Sequence, residues 1–136
     1  MKNKKKLNVM VDLSATLIHH GHIRLLRKAF RKYGKLIIAL TTDIEVKKQK
    51  GYLPELNYNS RKEILSSIIY VKKIIPSKWK ITDSFLKKNH IDIIIRGTDH
   101  KKDKFLIKQI ILPRTKKISS SLIRKKAARI HNKKNL

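Results

Sequence analysis

The feature that most constrains the fold is a change of apolar spacing within residues 7–26. From Leu7 to Leu13, apolar residues mostly alternate with polar or small ones, which predicts a β-strand. From Ile23 onward the apolar residues follow the helical period instead. His19-His20-Gly21-His22 lies between the two patterns. The sequence therefore predicts a strand, a tight turn that carries imidazoles, and a helix that begins at this turn.

A turn of this composition is suited to bind a phosphate. Gly21 has no side chain, so the backbone there can approach a ligand closely. The first turn of a helix presents unpaired N–H groups and the positive end of the helix dipole. His19 and His22 would add imidazoles that could stabilise a phosphate as it gains charge during a reaction. A metal-binding pair and a surface pair are the alternatives for two histidines at this spacing.

The rest of the chain predicts strands and helices in alternation. Gly34 would end the first helix, and the short apolar run that follows predicts a second strand. A β-α-β start implies a right-handed crossover and a parallel sheet. Strands are expected at 7–13, 36–40, 71–75, 91–95 and 109–112, and helices at 21–33, 60–69, 79–89 and from about 119. We predict an α/β fold, a Rossmann-like three-layer fold with a mainly parallel five-stranded sheet, formed by one domain over residues 1–136.

The connecting segments carry their own predictions. Ser60 and Glu63 have the spacing of a capping box, so a helix is expected to begin at Ser60. Residues 45–59 contain several lysines and little periodicity, which predicts a short helix followed by a mobile basic loop. Residues 1–6 and 131–136 are expected to be flexible basic ends.

Charge and composition limit the possible partners and location. The formal net charge is +26, from 35 Lys and Arg against 9 Asp and Glu, which favours anionic ligands. Because the lysines are spread along the chain, no specific nucleic-acid binding is predicted. The chain has no cysteine, and its N-terminal apolar run is short and contains Asp12. We therefore expect a cytoplasmic protein without disulfides or membrane insertion.

The His-x-Gly-His pattern after the first strand resembles the signature of the nucleotidyltransferase superfamily. Among its members, the chain is most similar to the glycerol-3-phosphate cytidylyltransferases, over about residues 7–125. Two further stretches carry the resemblance. Gly97 and Asp99 match two positions of a Gly-Asp-Asp-Trp motif, and residues 114–121 match Arg-Thr-x-x-Ile-Ser-(Ser/Thr)-(Ser/Thr).

The resemblance implies a set of site residues. His19 and His22 would act on the reacting phosphates, Lys48 and Lys50 would close over the triphosphate, and Arg114 would grip the β and γ phosphates. Binding positions would be Ser14, Gly21, Arg61, Gly97, Asp99, Thr115, Ser119 and Ser120. Gly97 would let the base approach the backbone, and Asp99 could accept from a cytosine amino group. The resemblance also implies CTP as substrate, Mg²⁺ bridging the triphosphate, and a homodimer.

One stretch departs from the pattern. Where the family usually has Gly-Thr-Phe-Asp, this chain has Leu13-Ser14-Ala15-Thr16. Ser14 can replace the hydroxyl, but Thr16 cannot supply the charge of a carboxylate. Ser14-Ala15 instead resembles the Met-Ser-Ala-Asp of related cytidylyltransferases, including those that act on phosphonates. The departure at Thr16 puts metal handling in question.

The predicted function is transfer of CMP from CTP to a small phospho-alcohol, with sn-glycerol 3-phosphate as the first choice and pyrophosphate as the second product. The alternatives are an adenylyltransferase or a phosphonate cytidylyltransferase of the same superfamily. A catalytically inactive nucleotide-binding protein and a basic nucleic-acid-binding module are further alternatives.

Overall fold

The computed structural model describes residues 6–134 and consists of strands and helices in near-regular alternation. The strands are β1 (Val9–Leu13), β2 (Leu36–Thr41), β3 (Val71–Ser77), β4 (Ile93–Gly97) and β5 (Lys108–Leu112). The α-helices are α1 (His20–Tyr33), α2 (Asp43–Lys50), α3 (Tyr58–Ser66), α4 (Asp83–Lys88) and α5 (Ser120–Lys134). A 3₁₀ turn, Thr98–His100, follows β4.

All five strands are parallel and lie in the order β3-β2-β1-β4-β5. The predicted Rossmann-like α/β fold is therefore confirmed. The chain moves outward from β1 to β3 on one side and then returns to place β4 on the other side of β1. Ligands of open α/β sheets bind beyond the carboxyl ends of the strands where the strand order reverses. The site is therefore expected beyond the end of β1.

The core has one layer on each face of the sheet. Val9 and Val11 point to the face that contains Leu26 of α1, whereas Met10 points to the face that contains Leu86 of α4. This alternation follows from the two-residue period of a strand. Because both faces are covered by helices, β2 is buried along its whole length and consists almost entirely of apolar residues.

Two helix starts differ from the prediction. Helix α3 begins at Tyr58 and is capped by Asn57, whose side-chain oxygen accepts from the backbone N–H of Ser60 at 2.9 Å. The capping box predicted at Ser60 is wrong, because Asn57 already provides the cap one turn earlier. Helix α4 begins after Thr82, whose hydroxyl accepts from the N–H of Phe85 at 3.2 Å, so the predicted start at residue 79 is wrong.

Two segments are more helical than predicted. Helix α2 extends as far as Lys50, and Gly51 ends it in the left-handed conformation, with φ of 83°. The loop within the predicted basic segment is therefore shorter and covers residues 51–57. Helix α5 continues to Lys134, so residues 131–134 are helical, and the flexibility of this end stays a prediction. Lysine and arginine are good helix formers and favour the C-terminal end of the helix dipole. Residues 1–5, 135 and 136 lie outside the described part of the chain.

Arg61 of α3 is fully buried and supports the loop that follows β1. Its guanidinium donates to the carbonyls of Ser14 at 2.6 Å and Thr41 at 2.8 Å, and to the Asp43 carboxylate at 2.7 Å. Its Nε donates to the carbonyl of Leu56 at 2.9 Å. The prediction that Arg61 binds the nucleotide is corrected, because all of these groups are protein atoms and the side chain is closed off from solvent.

Replacing Arg61 with methionine should destabilise the fold, because three carbonyls and one carboxylate lose their donor. We expect a loss of about 3 kcal/mol in the free energy of unfolding, which is typical when one partner of a buried ion pair is removed. Urea unfolding followed by circular dichroism measures it. Lys62→Met changes the exposed neighbour and serves as the control. Equal losses in the two variants would contradict this role of Arg61.

Candidate active site

An open cleft of about 260 Å³ lies beyond the carboxyl ends of β1, β2 and β4, where the sheet topology predicts a site. Its walls come from the loop after β1, the first turn of α1, the end of α2, the end of β4, and residues 114–121. The structure brings together eleven of the thirteen predicted site residues on these walls: Ser14, His19, Gly21, His22, Lys50, Gly97, Asp99, Arg114, Thr115, Ser119 and Ser120. Lys48 and Arg61 are not among the lining residues.

The start of α1 is capped reciprocally by two histidines. Nδ1 of His19 accepts from the backbone N–H of Gly21 at 3.1 Å, and Nδ1 of His22 accepts from the backbone N–H of His19 at 3.0 Å. The arrangement is a capping box in which imidazoles replace the usual Ser and Glu. A neutral imidazole whose Nδ1 accepts must carry its proton on Nε2. Both rings therefore keep an Nε2–H donor free for a ligand.

Gly21 allows this cap to form. A Cβ at this position would lie 2.8 Å from Cε1 of His19 and 3.2 Å from Cγ2 of Ile118. The first distance is shorter than real Cβ contacts allow, so any side chain would displace the His19 ring. The absence of a Cβ also lets residues 114–121 pack directly against the histidine turn.

Both histidines are neutral near pH 7. Burial, together with the charges of His19 and Arg114, lowers the pKa of His22 to about 3. The pKa of His19 is lowered by burial and by the charges of His20 and Arg114. Neutral rings agree with the Nε2–H form that the cap requires. An anionic ligand in the cleft would offset the nearby positive charge and raise both pKa values again.

Arg114 crosses the end of β4 and pairs with Asp99. Its Nε donates to one carboxylate oxygen of Asp99 at 2.8 Å, and its Nη2 donates to the other at 3.1 Å. Burial raises the pKa of Asp99, but the charges of Arg114 and His100 and the hydrogen bonds to the carboxylate together outweigh this effect, and the net pKa is lowered. Asp99 is therefore an ionised carboxylate that Arg114 already engages. A cytosine amino group would have to share this carboxylate with Arg114.

Gly97 is required for this position of Arg114. A Cβ at residue 97 would lie only 2.5 Å from Nε of Arg114. We expect Gly97→Ala to displace the guanidinium, which is the flexible end of its side chain, and to leave the fold intact. The unfolding free energy should stay within about 1 kcal/mol of the parent value. The affinity for inorganic pyrophosphate, measured by calorimetry, should fall several-fold.

A double-mutant cycle with Arg114→Ala provides the control for this prediction. If residue 97 acts only through Arg114, adding Gly97→Ala to Arg114→Ala should cause no further loss of pyrophosphate affinity. Fully additive losses, or a Gly97→Ala variant that binds pyrophosphate as the parent does, would contradict the assignment.

The serines at the start of α5 make local hydrogen bonds. Ser119 Oγ accepts from the N–H of Leu122 at 3.1 Å, which is a helix cap. Ser120 Oγ accepts from the N–H of Leu17 at 3.2 Å and donates to its carbonyl at 2.9 Å. Ser120 thus joins α5 to the loop before the histidines. Binding of phosphate by Thr115, Ser119 and Ser120 stays a prediction, and all three residues line the cleft.

The two predicted lysines of α2 occupy different places. Lys50 lines the cleft, and its Nζ lies 5.5 Å from the centre of the Trp79 ring, a cation–π distance. Lys48 is 74 % exposed, and its Nζ lies 3.6 Å from the Glu45 carboxylate. The helical conformation of this segment separates two residues that the sequence pattern treated together.

Sequence reasoning missed a charged cluster beside the cleft, of which Asp12 and His100 line the cleft itself. Asp12, at the end of β1, accepts from Nε and Nη2 of Arg96 at 3.0 Å and 2.9 Å. Arg96 also pairs with Asp103 at 2.6 Å and is almost fully buried. His100 adds a contact to Asp103 at 3.3 Å and lines the cleft. Asp12 and Arg96 are far apart in sequence, so no local pattern could have indicated the pair.

The donor set for a metal is sparse. Within residues 6–134, no three His, Asp or Glu side chains are grouped closely enough to hold a metal ion. The cleft carboxylates of Asp12 and Asp99 are each paired with an arginine.

Comparison with known proteins gives the family. The cytidylyltransferase-like family model matches residues 15–126, which include the histidine turn and the start of α5. The chain belongs to the cytidylyltransferase-like family. This confirms the predicted resemblance and the predicted enzyme class, a nucleotidyltransferase.

Three relatives show how near the resemblance is. The chain is 36 % identical to the glycerol-3-phosphate cytidylyltransferase of Staphylococcus aureus over 79 % of this chain and 85 % of that protein. It is 37 % identical to the enzyme of the same name from Bacillus subtilis, over 82 % and 90 %. The FAD synthase of Pyrococcus horikoshii is 32 % identical over 73 % of this chain and 68 % of that protein.

A solved structure agrees with the fold of this cytidylyltransferase-like chain. The lipopolysaccharide core biosynthesis protein from Thermoplasma volcanium superposes with a TM-score of 0.68 at 21 % identity, over 80 % of this chain and 98 % of that one. The similarity supports the architecture alone. Helices long and apolar enough to cross a bilayer are absent from the described part of the chain.

Proposed function

We propose that the protein is a cytidylyltransferase that transfers CMP from CTP to a small phospho-alcohol, with sn-glycerol 3-phosphate as the acceptor. The acceptor assignment draws on the relatives named glycerol-3-phosphate cytidylyltransferase, which match most of the chain at 36–38 % identity. The structural support is the convergence of two imidazole Nε2–H donors, Arg114 and the first turn of α5 at one cleft. These groups suit a substrate that carries several phosphates.

In the proposed reaction, a phosphate oxygen of the acceptor attacks the α-phosphorus of CTP. The new P–O bond forms as the bond from the α-phosphorus to the bridging oxygen of the β-phosphate breaks, and pyrophosphate leaves. The attacking group needs no general base, since a phosphate monoester with a second pKa of about 6 is largely a dianion at pH 7. The chain then contributes by aligning the reactants and stabilising the developing charge.

The roles of the side chains follow from their positions. The Nε2–H groups of His19 and His22 would donate to the oxygens of the reacting phosphates. Arg114 and the start of α5 would hold the β and γ phosphates that become the leaving group. Lys50 is the α2 lysine on the cleft wall and would neutralise phosphate charge on the β2 side of the cleft, opposite Arg114. We leave Lys48 out of this role because it faces solvent and pairs with Glu45.

Further parts of the proposal rest on the family resemblance. Mg²⁺ would enter with CTP as the metal–nucleotide complex and would supply charge neutralisation on the phosphate oxygens. We also propose a cytoplasmic homodimer, with residues 1–136 as a single nucleotidyltransferase domain and with no specific nucleic-acid partner.

An adenylyltransferase is the second candidate. The FAD synthase relatives favour it, because two of them are 31–32 % identical to this chain over 73 % of its length. Asp99, the residue predicted to select cytosine, is already occupied by Arg114. Base choice is therefore open to a direct test.

The decisive experiment is pyrophosphate release from CTP or ATP with Mg²⁺ and a panel of acceptors. The panel contains glycerol 3-phosphate, ribitol 5-phosphate, phosphocholine and 2-aminoethylphosphonate. We expect the highest kcat/KM with CTP and glycerol 3-phosphate, because a site that hydrogen-bonds acceptor hydroxyls rejects analogues that lack them.

Other outcomes point to specific alternatives. Turnover confined to the phosphonate would move the protein to the phosphonate branch, and preference for ATP would support the adenylyltransferase. Binding of CTP without turnover of any acceptor would favour the inactive nucleotide-binding protein. His22→Ala serves as the control for contaminating activity and should reduce turnover by about a hundredfold.

A further inference from the structure

Arg124 of α5 lies at the centre of a polar cluster at the edge of the cleft. Its Nε and Nη2 donate to the two oxygens of Glu55, the latter at 2.7 Å. Its Nη1 donates to the hydroxyl of Tyr52 at 2.9 Å, and its Nη2 lies 3.3 Å from Thr16 Oγ1. The guanidinium also lies 4.7 Å from the centre of the Tyr52 ring. We refer to Thr16, Tyr52, Glu55 and Arg124 as the Arg124 cluster.

The Arg124 cluster joins three parts of the chain that are distant in sequence. Thr16 belongs to the loop after β1, Tyr52 and Glu55 belong to the loop between α2 and α3, and Arg124 lies in the second turn of α5. Thr16 and Tyr52 line the cleft, whereas Glu55 and Arg124 stand behind them. The cluster therefore fixes the 51–57 loop to the helix whose first turn forms another wall of the cleft.

The exposure of the Arg124–Glu55 ion pair favours a role in positioning the 51–57 loop rather than in stabilising the fold. The side chains of Arg124 and Glu55 are 27 % and 40 % exposed, and ion pairs with such access to water add little to folding. The guanidinium nevertheless uses a two-pronged pairing with Glu55 and lies at a cation–π distance from the Tyr52 ring. The two-pronged pairing requires the planar fork of arginine, which lysine lacks.

The cluster also accounts for the uncharged residue at position 16. Thr16 is only 6 % exposed, and the guanidinium of Arg124 contacts its hydroxyl. The negative charge that balances Arg124 comes from Glu55, on the facing loop. The net pKa of Glu55 is lowered, chiefly by its hydrogen bonds from Arg124, so the carboxylate stays ionised at neutral pH.

The position of Tyr52 indicates which substrate the cluster affects. Gly97, Asp99 and Arg114 form the wall of the cleft at the end of β4. Lys50 lies 5.5 Å from the ring of Trp79, which follows β3, so Lys50 and the nearby Tyr52 lie on the opposite side of β1 from β4. If CTP binds on the β4 side and at the His19–His22 turn, the acceptor, whose phosphate attacks the α-phosphorus of CTP, would bind on the β2 side.

We propose that Arg124, held by Glu55, is a positioning residue that sets Tyr52 at the acceptor end of the cleft. The proposal rests on the proposed function, because the acceptor is a substrate of that reaction. Its structural half, the fixing of the 51–57 loop, does not depend on turnover and can be tested separately.

The kinetic test compares Arg124→Gln, Arg124→Lys and Glu55→Gln with the parent protein, with glycerol 3-phosphate as acceptor. We expect the acceptor KM to rise at least fivefold in all three, while the Kd for CTP changes by less than twofold. Arg124→Lys should fail to rescue, because it keeps the charge and loses the fork. An unchanged acceptor KM, or an equal rise in the Kd for CTP, would overturn the proposal.

Two controls separate position from charge. Lys126→Gln removes one positive charge from the exposed surface of the same helix and should leave the acceptor KM and the Kd for CTP unchanged. The double variant Glu55→Gln with Arg124→Gln should be no worse than either single variant, since the two residues act through one contact. Additive effects would contradict the paired role.

Hydrogen exchange of residues 51–57 tests the structural half without any substrate. In Arg124→Gln and Glu55→Gln, we expect at least fivefold faster exchange of these amides, with unchanged protection in β1 and β4. Unaltered exchange in the 51–57 loop would overturn the proposal even if turnover changes. If the parent protein turns over no acceptor, the proposed function fails, and this measurement still decides whether the cluster fixes the loop.

Discussion

The reciprocal hydrogen bonds between the His19–His22 turn and its own backbone are the interaction on which the rest of the site depends. Each imidazole satisfies a backbone N–H at the start of α1, and in doing so each is fixed in the Nε2–H form. The same bonds explain the glycine at position 21, where a Cβ would collide with the His19 ring. Each imidazole ring therefore caps the helix through Nδ1 and offers a donor through Nε2, so loss of either ring would remove both a cap and a donor.

The remaining parts of the cleft are arranged around this turn by the sheet. Because β1 lies at the reversal of strand order, its loop meets the end of β4 on one side and the end of β2 on the other. Ser120 joins α5 to Leu17, and buried Arg61 holds the carbonyl of Ser14 from beneath. The loop after β1 is thus held by buried and backbone contacts, whereas the wall at residues 51–57 depends on polar side-chain contacts.

The fold could be predicted from the sequence because its signals are local: the strand period of residues 7–13, the helix after His19, and the apolar runs of the buried strands. Most of the cleft followed from two motifs that a parallel sheet places at one edge. Arg61 and Lys48 could not be placed in this way, since a cationic side chain near a binding loop can support the backbone or face solvent. The Arg96 and Arg124 pairings join residues distant in sequence and leave no local pattern.

The central claim is that the cap fixes both imidazoles as neutral Nε2–H donors. Two-dimensional NMR of the ring nitrogens in ¹⁵N-histidine-labelled protein, without ligand at pH 7, measures the tautomer of each ring directly. We expect His19 and His22 each to show an unprotonated Nδ1 and a protonated Nε2, and His22 to keep this form as the pH is lowered towards 5. Protonated Nδ1, or rapid exchange between tautomers at either ring, would contradict the central claim.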